Sequence, residues 1–222
     1  MILREEVVLA AQDYKYLLDR GYGQKVSLDL VVSRYLLTRE ERALLLRCVH
    51  RSDDAELVRS KLINSLVGHD LVIDGYNVVL TIVSALEGRY LLLCDDGIVR
   101  DLRSSYIKDF STPLILEALK LIKEELSRSS PKSVTIVLDK NVSWSGRHAE
   151  VIESEIPQAK VKLAKKADIE VIATKATIAS SDFVILLKAR RVYDLAGKIV
   201  RRIAPNKIID INKALRKRNK AI

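Results

Sequence analysis

Leu71-Val-Ile-Asp74-Gly-Tyr-Asn77 decides the fold that we expect for this chain. Three apolar residues end on an aspartate, a glycine follows, and an amphipathic stretch then runs from Val78 to Leu86. This order is typical of a buried parallel strand and its crossover helix. The apolar window is interrupted by polar residues and is shorter than the ~20 residues that a membrane-spanning helix requires, so we expect no membrane segment.

Four more apolar runs follow downstream and alternate with amphipathic stretches, which predicts a parallel sheet flanked by helices. The predicted strands are Val134 to Asp139, Val161 to Leu163, Thr177 to Ser180 and Arg191 to Leu195. The predicted helices are Pro113 to Ser127, Arg147 to Glu155, Asp168 to Lys175 and Phe183 to Lys188. Tyr90 to Cys94 and Ile98 to Leu102 flank Asp95-Asp96-Gly97, which predicts a hairpin inserted after the first strand and helix. We assign residues 69–212 to this α/β domain.

Residues upstream of the first strand have helical spacing, with a break at Gly21-Tyr-Gly23. Thr38-Arg-Glu-Glu41 has the form of a capping box, and it predicts the start of a third helix. We therefore expect a small all-helical module over residues 1–68, with Gly68-His-Asp70 as the boundary. Residues 213–222 concentrate five cations and are expected to form a basic tail that could contact phosphates.

The composition favours a polyanionic partner and a reducing compartment. Lys and Arg number 38 against 29 Asp and Glu, for a net charge of +9. The two cysteines, Cys48 and Cys94, are far apart in sequence and have no metal-ligand spacing, so we expect neither a zinc site nor a disulfide framework. No signal-peptide pattern opens the sequence, and we expect a cytoplasmic protein.

Carboxylates recur where the predicted strands end. Asp74 ends the first strand, Asp139 ends the second, Asp182 follows the fourth, and Asp168 lies where a helix should begin after the third. The carboxyl ends of parallel strands meet at one edge of a sheet, so these four side chains should converge there. Each aspartate alone is also ordinary turn or helix-cap chemistry, which is the competing interpretation for Asp168 and Asp182.

Converging carboxylates repel one another unless a cation neutralises them. Mg²⁺ or Mn²⁺ suits such oxygen ligands and also binds phosphate. A metal site of this kind can activate a water and stabilise the leaving oxygen of a phosphodiester. The pattern therefore predicts metal-dependent phosphodiester hydrolysis, with Asp74, Asp139, Asp168 and Asp182 as the catalytic carboxylates.

Val72-Ile-Asp-Gly-Tyr-Asn77 resembles the opening strand motif of the PIN and NYN superfamily of metal-dependent ribonucleases. Ala167-Asp168-Ile169 and Ser180-Ser-Asp182 are similar to its later acidic motifs. The resemblance implies a PIN-like, Rossmannoid fold with Asp74, Asp168 and Asp182 as metal ligands. It makes Asp139 a further ligand or a supporting group, and Asn77 a polar group beside the site. The whole chain also resembles a mainly archaeal family of uncharacterised proteins with a helical front.

The chain departs from the superfamily pattern in one region. PIN domains supply a further acidic residue after the first strand, and here Glu87, Asp95, Asp96 and Asp101 all compete for that position. The predicted hairpin in this region is an insertion relative to the simplest PIN layout. The interval between Asp168 and Asp182 is also short for a helix and a strand.

Trp144 and Arg147 lie just beyond Asp139, at the edge of the sheet where a substrate would enter. An exposed tryptophan there could stack on a base, and the arginine could contact a phosphate. The alternative is that the ring fills a gap in the core. We therefore include Asn77, Trp144 and Arg147 as candidate substrate-binding residues.

These observations predict a ribonuclease that uses Mg²⁺ or Mn²⁺ and acts on RNA rather than DNA. A non-catalytic RNA-binding or ribonucleoprotein assembly factor with a degenerate site is the alternative. A third interpretation makes the helical front an interaction module, in which case the protein could be a homodimer.

Overall fold

The computed structural model describes residues 3–103 and 109–216. The chain divides into two compact units, each made of separated segments. The described residues of Met1–Ser60, Tyr90–Leu102 and Ile208–Ile222 form the first unit, and those of Lys61–Arg89 and Arg103–Lys207 form the second. In these described ranges, no helix is both long and apolar enough to cross a membrane.

The first unit contains helices and three short strands. In chain order these are α1 (Glu5–Asp19), α2 (Gln24–Arg34), α3 (Arg39–Cys48), α4 (Ser52–Ser60), β2 (Leu91–Leu93), β3 (Val99–Arg100), β8 (Ile208–Asp210) and α11 (Ile211–Arg216). The second unit contains β1 (Asp70–Asp74), α5 (Gly75–Leu86), α6 (Pro113–Ser129), β4 (Ser133–Asp139), α7 (Ser145–Glu155), β5 (Ala159–Ala164), α8 (Ala167–Ile172), β6 (Thr177–Ala179), α9 (Phe183–Lys188), β7 (Arg191–Val192) and α10 (Leu195–Ile203). A single 3₁₀ turn, Pro205–Lys207, follows α10.

The N-terminal helices follow the sequence pattern closely. The predicted capping box is present, with Glu41 N donating to Thr38 Oγ1 over 3.3 Å and Thr38 N donating to Glu41 Oε2 over 2.8 Å. These two bonds satisfy backbone donors that the first turn of α3 leaves free. The break at Gly21-Tyr-Gly23 separates α1 from α2 as predicted, and Gly21 has φ +84°.

The predicted hairpin is present, but it belongs to the first unit. β2 and β3 pair antiparallel around Asp95-Asp96-Gly97, and β8 joins β2 in parallel. Leu92, Cys94 and Ile211 complete a core whose other members come from α1, α2, α3 and the residue that follows α3. The hairpin is therefore part of the helical unit and not an insertion into the α/β sheet.

The C-terminal end of the chain also differs from the sequence expectation. Lys213 and Arg216, which we predicted to begin a basic tail, lie in α11. The remaining cations of that tail fall within residues 217–222, outside the described residues. Residues from Leu195 onward form α10, so the fifth strand is shorter than predicted.

The second unit is built on a five-stranded parallel sheet in the order β5-β4-β1-β6-β7. All five predicted strands are therefore present. Leu71 and Ile73 contribute to one core cluster, together with residues of α5, α6, α7 and α10. Val72, which alternates with them along β1, is buried but is not part of that cluster. This alternation is expected of a strand covered on both faces.

Gly75 makes the junction between β1 and α5 possible. A Cβ atom at this position would lie 2.5 Å from Leu138 Cδ2 and 3.1 Å from the backbone oxygen of Val137. Only a residue without a side chain lets the first turn of α5 pass so close to β4. The glycine thereby lets α5 begin directly after the strand that ends in Asp74.

Candidate active site at the carboxyl edge of the sheet

The chain leaves β1 toward β4 and β5, then returns to β6 on the other side of β1. In open α/β sheets such a reversal opens a crevice beyond the carboxyl ends of the strands. Asp74 ends β1, and Ser180 directly follows β6. The Ser180 hydroxyl donates to Asp74 Oδ2 over 2.7 Å, so the two sides of the crevice are joined by a side-chain hydrogen bond.

Asp74 is buried, with 6% of its surface exposed. Asn77 Nδ2 also donates to Asp74 Oδ2, over 2.6 Å, from the first turn of α5. Asn77 therefore lies beside the carboxylate, as the resemblance implied. Ser180 is a partner that the sequence analysis did not assign, although it lies in the Ser180-Ser-Asp182 motif.

The other three aspartates lie at the neighbouring loop and helix ends. Asp139 ends β4, and its Oδ1 accepts from Asn141 N over 2.8 Å. Asp182 caps α9, because its Oδ1 accepts from Val184 N and Ile185 N over 2.7 and 3.2 Å. Asp168 lies in the first turn of α8, which has Lys166 at its N-cap. The capping role that we considered is thus seen for Asp182, whereas Asp168 does not occupy the cap of its helix.

Burial and the charges of neighbouring aspartates raise the pKa of two of the four carboxylates, Asp74 and Asp168. Burial raises the pKa of Asp74 from 3.8 to about 6. The hydrogen bonds from Asn77 and Ser180 oppose this rise, and the charges of Asp182 and Asp168 add to it. The pKa of Asp168 is also raised, first by partial burial and then by the charges of Asp182 and Asp139. The cluster therefore concentrates negative charge that a cation would relieve.

This cluster should make the stability of the metal-free protein depend on pH. The folded-state pKa of Asp74, about 6, exceeds the ordinary value of 3.8, so its contribution is fully present below about pH 4 and is lost as pH rises through 6. We expect the free energy of unfolding of wild type relative to Asp74→Asn to fall by about 2 kcal/mol between pH 4.5 and 7.5. Urea titrations of both proteins in EDTA measure this difference. A difference independent of pH would show that Asp74 has an ordinary pKa.

Four carboxylates were candidates for the further acidic position of the PIN pattern, and each has a basic partner elsewhere. Glu87 is paired with Arg103 and, at 2.6 Å, with Arg89. Asp95, Asp96 and Asp101 belong to the first unit. There Asp95 pairs with Lys15 and His50, Asp96 pairs with Arg100, and Asp101 pairs with Arg47. These basic partners account for the carboxylates that the sequence left without an assignment.

His50, Asp95 and Asp96 form a buried group of potential metal ligands whose atoms lie within 4.8 Å of one another. Their carboxylates are already neutralised by the protein. Asp95 Oδ2 accepts from Lys15 Nζ over 2.8 Å, and Asp96 accepts two bonds from Arg100 over 2.8 and 2.5 Å. A divalent cation would have to displace these side-chain cations, so the group fits an internal ion-pair network better than a metal site.

Trp144 and Arg147 are both on the surface, before and within α7. Trp144 is 69% exposed, so the alternative that its ring fills a gap in the core is wrong. Both residues line a cavity of about 220 Å³ together with Asp109, Phe110, Ser111, His148 and Val151. Phe110 and His148 could not be predicted as lining residues from the sequence, because neither belongs to a motif.

The fold and the acidic edge define a class of protein: a parallel α/β unit with clustered carboxylates at its switch point, joined in one chain to a helical unit. The chain belongs to the family described as "Domain of unknown function (DUF5616)", which matches residues 63–198. Residues 7–61 match "Protein of unknown function (DUF434)".

The chain is also 33% identical over 199 residues to Uncharacterized protein MJ0935 of the archaeon Methanocaldococcus jannaschii. That similarity covers 86% of this chain and 95% of the relative. No solved structure matches the chain significantly.

Proposed function

We propose that the second unit is a PIN-like, metal-dependent ribonuclease. The observation that carries this proposal is the raised pKa of Asp74 and Asp168 at the switch point of the sheet, where burial and the charges of neighbouring aspartates act together. Carboxylates whose pKa is raised in this way in a crevice are typical of functional sites. Fold analogy alone would support the scaffold but not the chemistry.

The residues fit a hard divalent cation. Asp74, Asp168 and Asp182 would hold Mg²⁺ or Mn²⁺, with Asp139 as a further or supporting ligand, because hard cations prefer carboxylate oxygens. When bound, such an ion supplies an activated water and stabilises the charge on the leaving oxygen of a phosphodiester. Asn77 and Ser180 orient Asp74 through hydrogen bonds to a single oxygen, Oδ2.

Three exposed lysines beside the acidic edge could hold the phosphates of a substrate strand. Lys140 follows Asp139, and Lys165 and Lys166 precede Asp168. Their two loops are joined, since Lys140 N donates to Ala164 O and Asn141 Nδ2 donates to Lys165 O, each over 2.9 Å. Cations at this position would bind the sugar-phosphate backbone without regard to sequence.

Replacing these three lysines with glutamine should therefore weaken binding of single-stranded RNA and lower its salt dependence. Each phosphate contact on a single strand contributes about 0.7 to the slope of log K against log salt, so the triple variant should lose about 2 from that slope. The matched control replaces Lys132, Lys175 and Arg190, which precede β4, β6 and β7 at the opposite edge of the sheet. Equal slopes of log K against log salt for the two triple variants would contradict the binding of RNA phosphates by these three lysines.

A non-catalytic RNA-binding factor is the second candidate, and one observation favours it. Within the described residues, His50, Asp95 and Asp96 form a group of potential ligands whose atoms lie within 4.8 Å of one another. The four aspartates, which are also among the described residues, do not form such a group. The acidic site is therefore not drawn together as a compact ligand set in the absence of metal. A degenerate site would bind RNA in a salt-dependent manner without turnover.

The experiment that separates the two is cleavage of end-labelled single-stranded RNA by the full chain with Mn²⁺, with Mg²⁺ and with EDTA. The ribonuclease proposal expects products with either metal, none in EDTA, and a loss of activity in Asp74→Asn. RNA binding without products under any metal condition would favour the second candidate. Cleavage in EDTA would contradict the assigned chemistry.

A further inference from the structure

The cavity beside Trp144 lies within the second unit and is separate from the carboxylate cluster. Its volume of about 220 Å³ exceeds that of a single water site several-fold, at ~30 Å³ per water. The lining combines aromatic rings with one cation and one carboxylate, Arg147 and Asp109. Such a mixture suits a flat, polar heterocycle better than an aliphatic ligand.

The floor of the cavity is a fixed aromatic surface. The buried rings of Phe110 and His148 are stacked, with centroids 4.3 Å apart and planes at 22°. Tyr76 contacts both rings edge-on, and its hydroxyl lies 3.0 Å from His148 Nδ1. These contacts fix the plane of the floor before any ligand arrives, which lowers the entropic cost of binding.

Trp144 supplies an exposed ring at the same cavity. It is the only tryptophan of the chain, and its backbone has φ +66°, in the left-handed region that bulky residues rarely adopt. A strained backbone that presents a large apolar ring to solvent is costly, and such strain is concentrated at binding sites. Arg147, three residues later in α7, is exposed on the lining of the same cavity.

The cavity is also linked to the acidic edge through sequence and structure. Tyr76, which contacts the floor rings, lies two residues after Asp74 in the first turn of α5. The same turn therefore carries a ring that supports the floor of the cavity and, in Asn77, a hydrogen-bond donor to Asp74.

We propose that this cavity binds one unpaired nucleobase of a single-stranded polynucleotide, with Trp144 stacked on the base and Arg147 on its phosphate. This inference rests on the proposed function, because it names the part of the same substrate that a separate subsite holds. Stacking on an aromatic ring is tolerant of base identity, so the subsite selects unpaired over paired strands and not one sequence. Paired bases would have to leave the duplex first, at a cost in unstacking and unpairing.

The single tryptophan makes a direct test possible. The full chain is titrated in EDTA, so that no hydrolysis occurs, with single-stranded RNA, with the matching duplex, and with an abasic strand of equal charge. We expect the single strand to quench Trp144 fluorescence and the other two to quench it little. Equal quenching by the abasic strand would overturn the base-binding proposal, because it would show that phosphates alone cause the signal.

Binding of fluorescently labelled RNA, followed by anisotropy, tests the residues. Trp144→Ala should weaken binding of the single strand roughly ten-fold, and Trp144→Phe should restore part of it. Arg147→Gln should lower the salt slope by about 0.7, for the abasic strand as well. The matched control is Tyr22→Ala, which removes an exposed aromatic ring from the first unit and should change nothing. Wild-type affinity in a folded Trp144→Ala variant would overturn the proposal.

Two further titrations test whether the bound base belongs to a polynucleotide and whether base binding is independent of the proposed nuclease activity. A nucleoside monophosphate should quench Trp144 only at much higher concentration than the strand; equal affinity would overturn the assignment to a polynucleotide. Asp74→Asn should lose metal-dependent cleavage but still show quenching of Trp144 by the single strand, since Asp74 does not line the cavity. Quenching without metal-dependent cleavage would reject the nuclease and leave the base-binding subsite standing.

Discussion

Asp74→Asn is expected to reduce metal-dependent RNA hydrolysis about 10³-fold and to abolish Mn²⁺ binding measured by isothermal titration. The substitution removes a charge from the buried centre of the acidic cluster, and a loss of about 4 kcal/mol in stabilising the transition state corresponds to that factor. The protein should nevertheless fold. Both hydrogen bonds to the carboxylate go to Oδ2, and an amide oxygen in that position can accept them from Asn77 and Ser180.

The same strand offers a matched control. Asp70 begins β1 at the opposite edge of the sheet, where its Oδ1 accepts from the Ser133 hydroxyl over 2.6 Å. Asp70→Asn makes the same chemical change and should leave Mn²⁺ binding and hydrolysis unaltered. Retained hydrolysis in Asp74→Asn, or an equal loss in both variants, would contradict a metal site centred on Asp74.

Asp96→Asn should destabilise the protein by about 3–5 kcal/mol, because it leaves a buried guanidinium without its counter-charge. The side chains of Asp96 and Arg100 are 0% and 4% exposed, and two hydrogen bonds of 2.8 and 2.5 Å join them. Asp96 Oδ1 also accepts from Ile98 N over 3.2 Å and so shapes the β2–β3 turn. Urea unfolding followed by circular dichroism measures the loss.

An exposed ion pair in the same unit provides the comparison for this second prediction. Arg42 and Asp29 lie 3.1 Å apart with side chains 39% and 53% exposed. Because solvent screens such a pair, Asp29→Asn should cost less than about 1 kcal/mol. Similar small losses in both variants would mean that the Asp96–Arg100 pair contributes no more than a surface contact.

The sequence predicted the central strands of the α/β sheet well because β1 and β4 are largely buried. The runs that form β1 and β4 are mostly apolar, and each ends on an aspartate. Such runs have no other stable location in a chain that alternates with amphipathic helices. The positions of Asp74 and Asp139 at strand ends followed from the same pattern.

Features that depend on distant partners could not be predicted. β8 is three half-buried residues long, and it becomes a strand by pairing with β2, more than a hundred residues earlier. Local patterns also could not assign Asp95 and Asp96 to the helical unit, since their partners are Lys15, His50 and Arg100. The bond between Ser180 and Asp74 likewise joins residues 106 positions apart.

The segmented first unit has a consequence for biosynthesis. Its helical core includes Ile211, so the four N-terminal helices cannot complete that core when residue 60 leaves the ribosome. At a synthesis rate of about 5–20 residues per second, the remaining 151 residues take roughly 8 to 30 s. During that interval the apolar side chains of this core lack Ile211 as a partner. The N-terminal unit therefore completes its core only when almost the whole chain has been synthesised.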